Sequence, residues 1–96
     1  MVDYKSGFKR VEAVYSGMVQ GVGFRFTAQR LAEGLDIKGW VKNLPNGAVQ
    51  LVAEGSEENL NKLLGQLKTH FKDDIEDTQI SWEEAIGKFS EFRVAF

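Results

Sequence analysis

Residues Gly17-Met18-Val19-Gln20-Gly21-Val22-Gly23-Phe24-Arg25 set three glycines, without proline or acid, ahead of an arginine. The preceding chain, Phe8 to Val19, is rich in β-branched and aromatic residues and reads as a strand. The following chain, Phe24 to Leu35, has apolar residues at 24, 28, 31, 32 and 35, the spacing of a helix. A glycine-relaxed turn between strand and helix lets successive backbone N–H groups converge, and a helix N-terminus adds the positive end of its dipole. Arg25 is electrostatically unfavourable at that terminus, and an anion in the turn would remove the conflict. The outline is that of a phosphate or carboxylate cradle.

Outward from this turn the order of elements is short and regular. Glu33-Gly34-Leu35-Asp36 closes the first helix, with Gly34 expected as a left-handed C-terminal cap. Ile37 to Asn43 is predicted as a strand with Ile37, Gly39 and Val41 on one face and Lys38, Trp40 and Lys42 on the other. Leu44-Pro45-Asn46-Gly47 is a strong turn, and Ala48 to Glu54 returns as an antiparallel strand. Ser56 is placed to cap a second helix, Glu57 and Glu58 suit its dipole, and 60, 63, 64, 67 and 71 form one apolar stripe. An acidic turn is expected over Asp73 to Asp77. Alternation at Thr78, Ile80 and Trp82, and again at Phe92, Val94 and Phe96, predicts two further strands. The order β-α-β-β-α-β, with a small extra strand, predicts a ferredoxin-like α+β sandwich. Its two helices would cover one face of a four- to five-stranded antiparallel sheet. Such a fold hosts many functions.

Composition narrows the classes. Ninety-six residues are expected to make one domain, 1–96. Without cysteine there is neither a disulfide framework nor a thiolate metal site. One histidine, His70, and no calcium-loop motif leave no expected metal ligand set. The expectation is therefore no metal and no cofactor. No apolar run suits a membrane span, and the start of the chain, with Asp3 and Lys5, lacks the apolar core of a secretory signal. A cytoplasmic protein with no membrane partner is the default. A net charge of −2 argues against general nucleic-acid binding. Residues 1–43 nevertheless balance at +3 and residues 44–96 at −5, so the glycine turn lies in the basic half. Chance variation between two solvated halves would also account for this.

The turn fails two nucleotide tests. Counting from Gly17, the P-loop pattern lands on Val22, and the dinucleotide pattern from Gly21 finds Gly23 and then Phe26. A compact cradle for one small anionic group remains, although a glycine-rich strand-to-helix turn is also a common structural device. Arg25 can hold two phosphate oxygens in a bidentate fork, or else pair with a surface carboxylate. Asn43, at the end of a strand, can orient a water or close a local Asx-type turn. Trp40, Lys38 and Lys42 either form a surface for a partner or cover the sheet. His70 is read as a solvated or capping residue without a role.

Two blocks together say more. Gly17-x-Val19-Gln20-Gly21-Val22-x-Phe24-Arg25 and Gly39-Trp40-Val41-Lys42-Asn43-x-x-x-Gly47-x-Val49-x-x-x-x-x-Gly55 closely resemble the two motifs of the acylphosphatase family. The resemblance runs from about Tyr4 to Phe96, by pattern more than by residue in the second helix and last strands. It implies hydrolysis of a carboxyl–phosphate anhydride of a small acyl phosphate to a carboxylate and inorganic phosphate. Arg25 would be the phosphate-binding arginine and Asn43 the water-orienting asparagine. The backbone N–H groups of Gln20, Gly21, Val22, Gly23, Phe24 and Arg25 would form the phosphate cradle. Tyr15 stands where the family usually has an aliphatic residue, with an effect expected on packing alone. Leu44 stands where many relatives have a hydroxyl residue, which is expected to tune the rate. A monomer is the default expectation. The alternative is a non-catalytic accessory domain of the same fold, binding phosphate or carbamoyl phosphate. An RNA-binding sheet domain of this topology lacks its motif and its basic face here.

Overall fold

A computed structural model of the chain describes residues 7–96; Tyr4, Asp3 and Lys5 lie outside the described residues. Five strands and two helices follow in the expected order: β1 (Phe8–Gly17), α1 (Phe24–Gly34), β2 (Lys38–Asn43), β3 (Val49–Ser56), α2 (Glu57–His70), β4 (Ile75–Glu84) and β5 (Phe92–Ala95). The sheet order is β4-β1-β3-β2-β5. Three pairings are antiparallel, with Ala13 opposite both Leu51 and Ile80, and Val41 opposite Leu51. The fourth departs from the all-antiparallel expectation: β5 runs parallel to β2, Gly39 beside Phe92 and Lys42 beside Ala95. The sheet is therefore mixed. Four residues at an edge carry no local signal of direction, and the long return from β4 reaches the far side of β2.

Alternation drives the core. Val11, Ala13 and Tyr15 of β1, Val41 of β2 and Val49, Leu51 and Ala53 of β3 face the helices. Phe24, Ala28 and Ala32 of α1 and Leu60, Leu63 and Leu67 of α2 meet them. Ser56 caps α2, its Oγ accepting from Asn59 N–H at 3.1 Å. The end of α1 differs from expectation. Gly34 keeps an ordinary φ, and Asp36 takes the left-handed conformation (φ 55°), with Ile37 N–H closing on Ala32 C=O at 2.9 Å. The acidic turn also ends early, because β4 already begins at Ile75.

Close approach decides two glycines. A Cβ on Gly39 would stand 2.0 Å from Val52 O, and one on Gly17 would stand 2.4 Å from Asp74 O. Gly17 thus lets the end of β1 pass against the turn after α2, where Met18 N–H donates to Asp74 C=O at 2.8 Å. The face of the sheet away from the helices is partly covered. Glu54 on that face is fully buried, receiving Ile86 N–H at 2.8 Å, Gly87 N–H at 3.0 Å and Arg10 Nη1 at 3.2 Å. Burial by itself would raise the Glu54 pKa, but these donors and the Arg10 charge outweigh it and hold it below the usual carboxylate value.

Candidate active site

The turn between β1 and α1 is pinned at both ends. Val19 is fully buried, and Phe24 is stacked on Phe71 (ring centroids 4.6 Å apart) and tilted against Tyr15 (4.8 Å). The unusual Tyr15 therefore packs directly on the residue that starts α1. Burial pushes its phenol well above the ordinary pKa, and the hydroxyl has no partner among the described residues. Between the anchors Gly21 and Gly23 take positive φ, 80° and 82°, with open space where a Cβ would be. Conformation, not crowding, requires glycine there.

The helix start is left uncapped by the protein. Gly23 at the N-cap offers no side chain, and the first turn of α1 holds no acid. The first helical donor is Thr27 N–H, to Gly23 C=O at 3.0 Å, so the earlier N–H groups have no carbonyl within the helix. Among the described residues, none engages a backbone N–H from Gln20 to Arg25. No carboxylate lies in ion-pair range of Arg25 within the same set; its guanidinium instead meets the rings of Phe96 (4.9 Å) and Phe26 (5.9 Å). The surface salt bridge considered for Arg25 is not what is found.

Asn43 is the last residue of β2 and, by alternation with Gly39 and Val41, lies on the helix side of the sheet. The Asx-type bond belongs to its neighbour: Asn46 Oδ1 accepts from Ala48 N–H at 3.0 Å. The β2–β3 turn is closed by Gly47 N–H to Leu44 C=O at 3.1 Å, with Gly47 at φ 94°. No side-chain hydrogen bond among the described residues occupies the Asn43 amide.

A side chain that the sequence reading used only for its backbone joins the two blocks. Gln20 Nε2 donates to Leu44 C=O at 2.8 Å and to Ala48 C=O at 2.9 Å. The glycine turn is thereby tied to the residue following Asn43 and to the first residue of the return. Gln20→Ala is expected to lower stability by about 1–2 kcal/mol and turnover by about tenfold through loss of registration. Urea unfolding and steady-state kinetics on the folded protein measure the two effects.

His70, exposed at the end of α2, packs its ring on Phe71 (4.6 Å). Trp40 and Lys42 lie on the opposite sheet face, Lys42 Nζ 5.5 Å from the Trp40 ring. Among the described residues no three metal-ligating side chains come together.

Comparison with known proteins bears on this junction. A family model described as acylphosphatase matches residues 11–94. The chain belongs to the acylphosphatase family. It is 42% identical over 83 residues to an acylphosphatase of Deinococcus radiodurans, covering 83% of this chain and 95% of that one. Against an acylphosphatase of Salinibacter ruber it is 40% identical over 87 residues, 90% of this chain and 92% of the relative. The crystal structure of acylphosphatase from Bacillus subtilis is similar at a TM-score of 0.83 and 27% identity, covering 92% of this chain and 99% of that one. The family's fold is the one predicted for this chain, with the parallel β5 as the difference of detail.

Proposed function

We propose that this acylphosphatase hydrolyses small acyl phosphates where the glycine turn meets the β2–β3 turn. Arg25 and the N–H groups of Gln20 to Arg25 would bind the phosphoryl group, and Asn43 would orient the attacking water. The observation that carries the assignment of roles is the Gln20 tie. It holds an uncapped helix start, with an arginine that no carboxylate pairs, against the strand end that bears Asn43.

The chemistry asks for little more. Water oxygen forms a bond to phosphorus as the bond from phosphorus to the acyl oxygen breaks, and the electron pair leaves on the carboxylate. The conjugate acid of that leaving group has a pKa of about 4, so it departs without a proton. The water's proton passes to a phosphate oxygen or to solvent. Loose phosphoryl transfer needs positioning and charge stabilisation above all. Arg25 and the converging N–H groups supply the charge, and the Asn43 amide, accepting from water through Oδ1, supplies the line of attack.

The reading takes residues 1–96 as a single domain acting as a monomer on a free substrate. Its test is hydrolysis of an aryl acyl phosphate in the presence of chelator. Asn43→Ala is expected to lower kcat by about a hundredfold or more, with KM changed little, because water is positioned rather than substrate held. Unimpaired turnover in Asn43→Ala would remove its role. Phosphate binding by the native chain with no turnover would favour the accessory domain.

A further inference from the structure

Tyr15 carries a polar atom that the chain leaves unanswered. The residue is 2% exposed, and its hydroxyl has no hydrogen-bond partner among the described residues. Burial holds the phenol above its ordinary pKa, so at neutral pH it remains an O–H group that can donate. A buried polar atom without a partner is costly and uncommon in a folded chain. The same side chain lines a cleft of about 380 Å³ between α2 and the edge strand β4, where Leu64, Ile75 and Ile80 supply an apolar wall. The space exists because β4 lies beyond the reach of α2. Ile80 is paired with the core residue Ala13 yet stays 46% exposed. Lys68 and Lys72, on and just after α2, are matched by Glu76 and Asp77 of β4, so the lining has no net charge. No residue of the glycine turn contributes to that lining.

We propose that this cleft is a regulatory site for a small, uncharged, largely apolar molecule bearing one hydroxyl or carbonyl oxygen, which the Tyr15 O–H holds and the glycine turn senses through Phe24. An apolar space with one convergent polar group suits a ligand of that class. Its body would cover Ile75 and Ile80, and its oxygen would give the phenol the partner that the chain withholds. The Tyr15 ring lies 4.8 Å from that of Phe24, the first residue of α1. A filled cleft would brace Tyr15 against Phe24, so that the N–H groups at the start of α1 are ordered before phosphate arrives. The binding rests on the cleft alone, and the effect on turnover rests also on the role proposed for the turn.

The test uses p-cresol and toluene, which differ by one hydroxyl, in titrations of the full chain followed by NMR. p-Cresol is expected to bind saturably and to shift the resonances of Ile75, Ile80 and Phe24. Tyr15→Phe removes an unpaired hydroxyl and so keeps the fold; it should reduce the advantage of p-cresol over toluene about fivefold. An unchanged ratio overturns the hydrogen bond and with it the site. Ile80→Glu puts a charge on the exposed wall and should abolish binding of both probes, whereas retained binding overturns the location. In turnover, saturating p-cresol should lower KM for acetyl phosphate about fivefold in the native chain and leave Ile80→Glu unaffected. Equal effects in both chains, or none in either, overturn the coupling to the turn. The titrations decide the site even in a chain that hydrolyses no acyl phosphate. Ile75 and Ile80 resonances that move with protein concentration, without probe, would mean that a second copy covers the cleft, and would overturn the small-molecule assignment.

Discussion

Arg25→Ala is expected to lower kcat/KM for a small acyl phosphate by about a thousandfold or more, with the fold intact. The rate loss follows from the task proposed for the arginine. A guanidinium that stabilises charge on a transferring phosphoryl group contributes roughly 10³–10⁵ in rate where it has been removed. The retained fold follows from its surroundings: no described carboxylate pairs with it, and its charge sits against the positive end of α1, a placement that costs about 0.3–1 kcal/mol when no anion is bound. Stability measured without phosphate is therefore expected to be unchanged or slightly raised. Phosphate at about 100 times its dissociation constant would stabilise the native chain by about 2.7 kcal/mol, and that shift should vanish in the variant. Arg25→Lys keeps the charge but loses the planar fork, so its activity should fall between the two. Turnover within tenfold of native in Arg25→Ala, at equal folded concentration, would remove the arginine from the mechanism.

What could be read from the sequence was what is local. One-sided stripes such as Leu60, Leu63 and Leu67 announce a helix packed on one face, and Pro45-Asn46-Gly47 announces the reversal between β2 and β3. The four-residue β5 has no such signal, and its parallel pairing with β2 depends on the path of residues 85–91. Alternation reports which face a residue occupies but not how far a helix covers it. Ile80 and Trp82 pair with the core positions Ala13 and Val11, yet they stay exposed on the edge strand beyond α2. Glu54 is the reverse case, a carboxylate on the face left open by the helices that a distant loop buries. At the proposed site, the resemblance of two motifs points to Arg25 and Asn43, whereas spacing by itself leaves a turn bond and a salt bridge open. The amide of Gln20 could not be given its partners until the β2–β3 turn was placed against it.

Glu54 also carries the largest expected effect on stability. Its carboxylate joins β1, through Arg10, to the chain after β4, through Ile86 and Gly87 N–H, and Arg10 in turn meets Glu83 at 3.4 Å and the Phe89 ring at 5.5 Å. Glu54→Ala leaves two N–H groups without this acceptor and the Arg10 guanidinium with Glu83 as its remaining ion-pair partner among the described residues, and removing one partner of a buried ion pair costs about 3–5 kcal/mol. Glu54→Gln keeps the shape and loses the charge, so it should cost less. The folded-state pKa of Glu54 is depressed, so its contribution is fully present above the unfolded-state pKa, about 4.3. It disappears as pH falls from there through the lower folded-state value. The gap in urea midpoint between the native chain and Glu54→Gln should therefore be large at neutral pH and narrow progressively below about pH 4.3; a gap independent of pH would mean that the carboxylate charge is not what holds the loop. Catalysis offers an internal control. Glu54 lies five residues along β3 from Val49, the partner of Asn43, a separation of about 17 Å in a strand. Turnover per folded molecule should thus be the same in Glu54→Gln as in the native chain, because this clasp and the proposed phosphate-binding turn stand at opposite ends of one sheet.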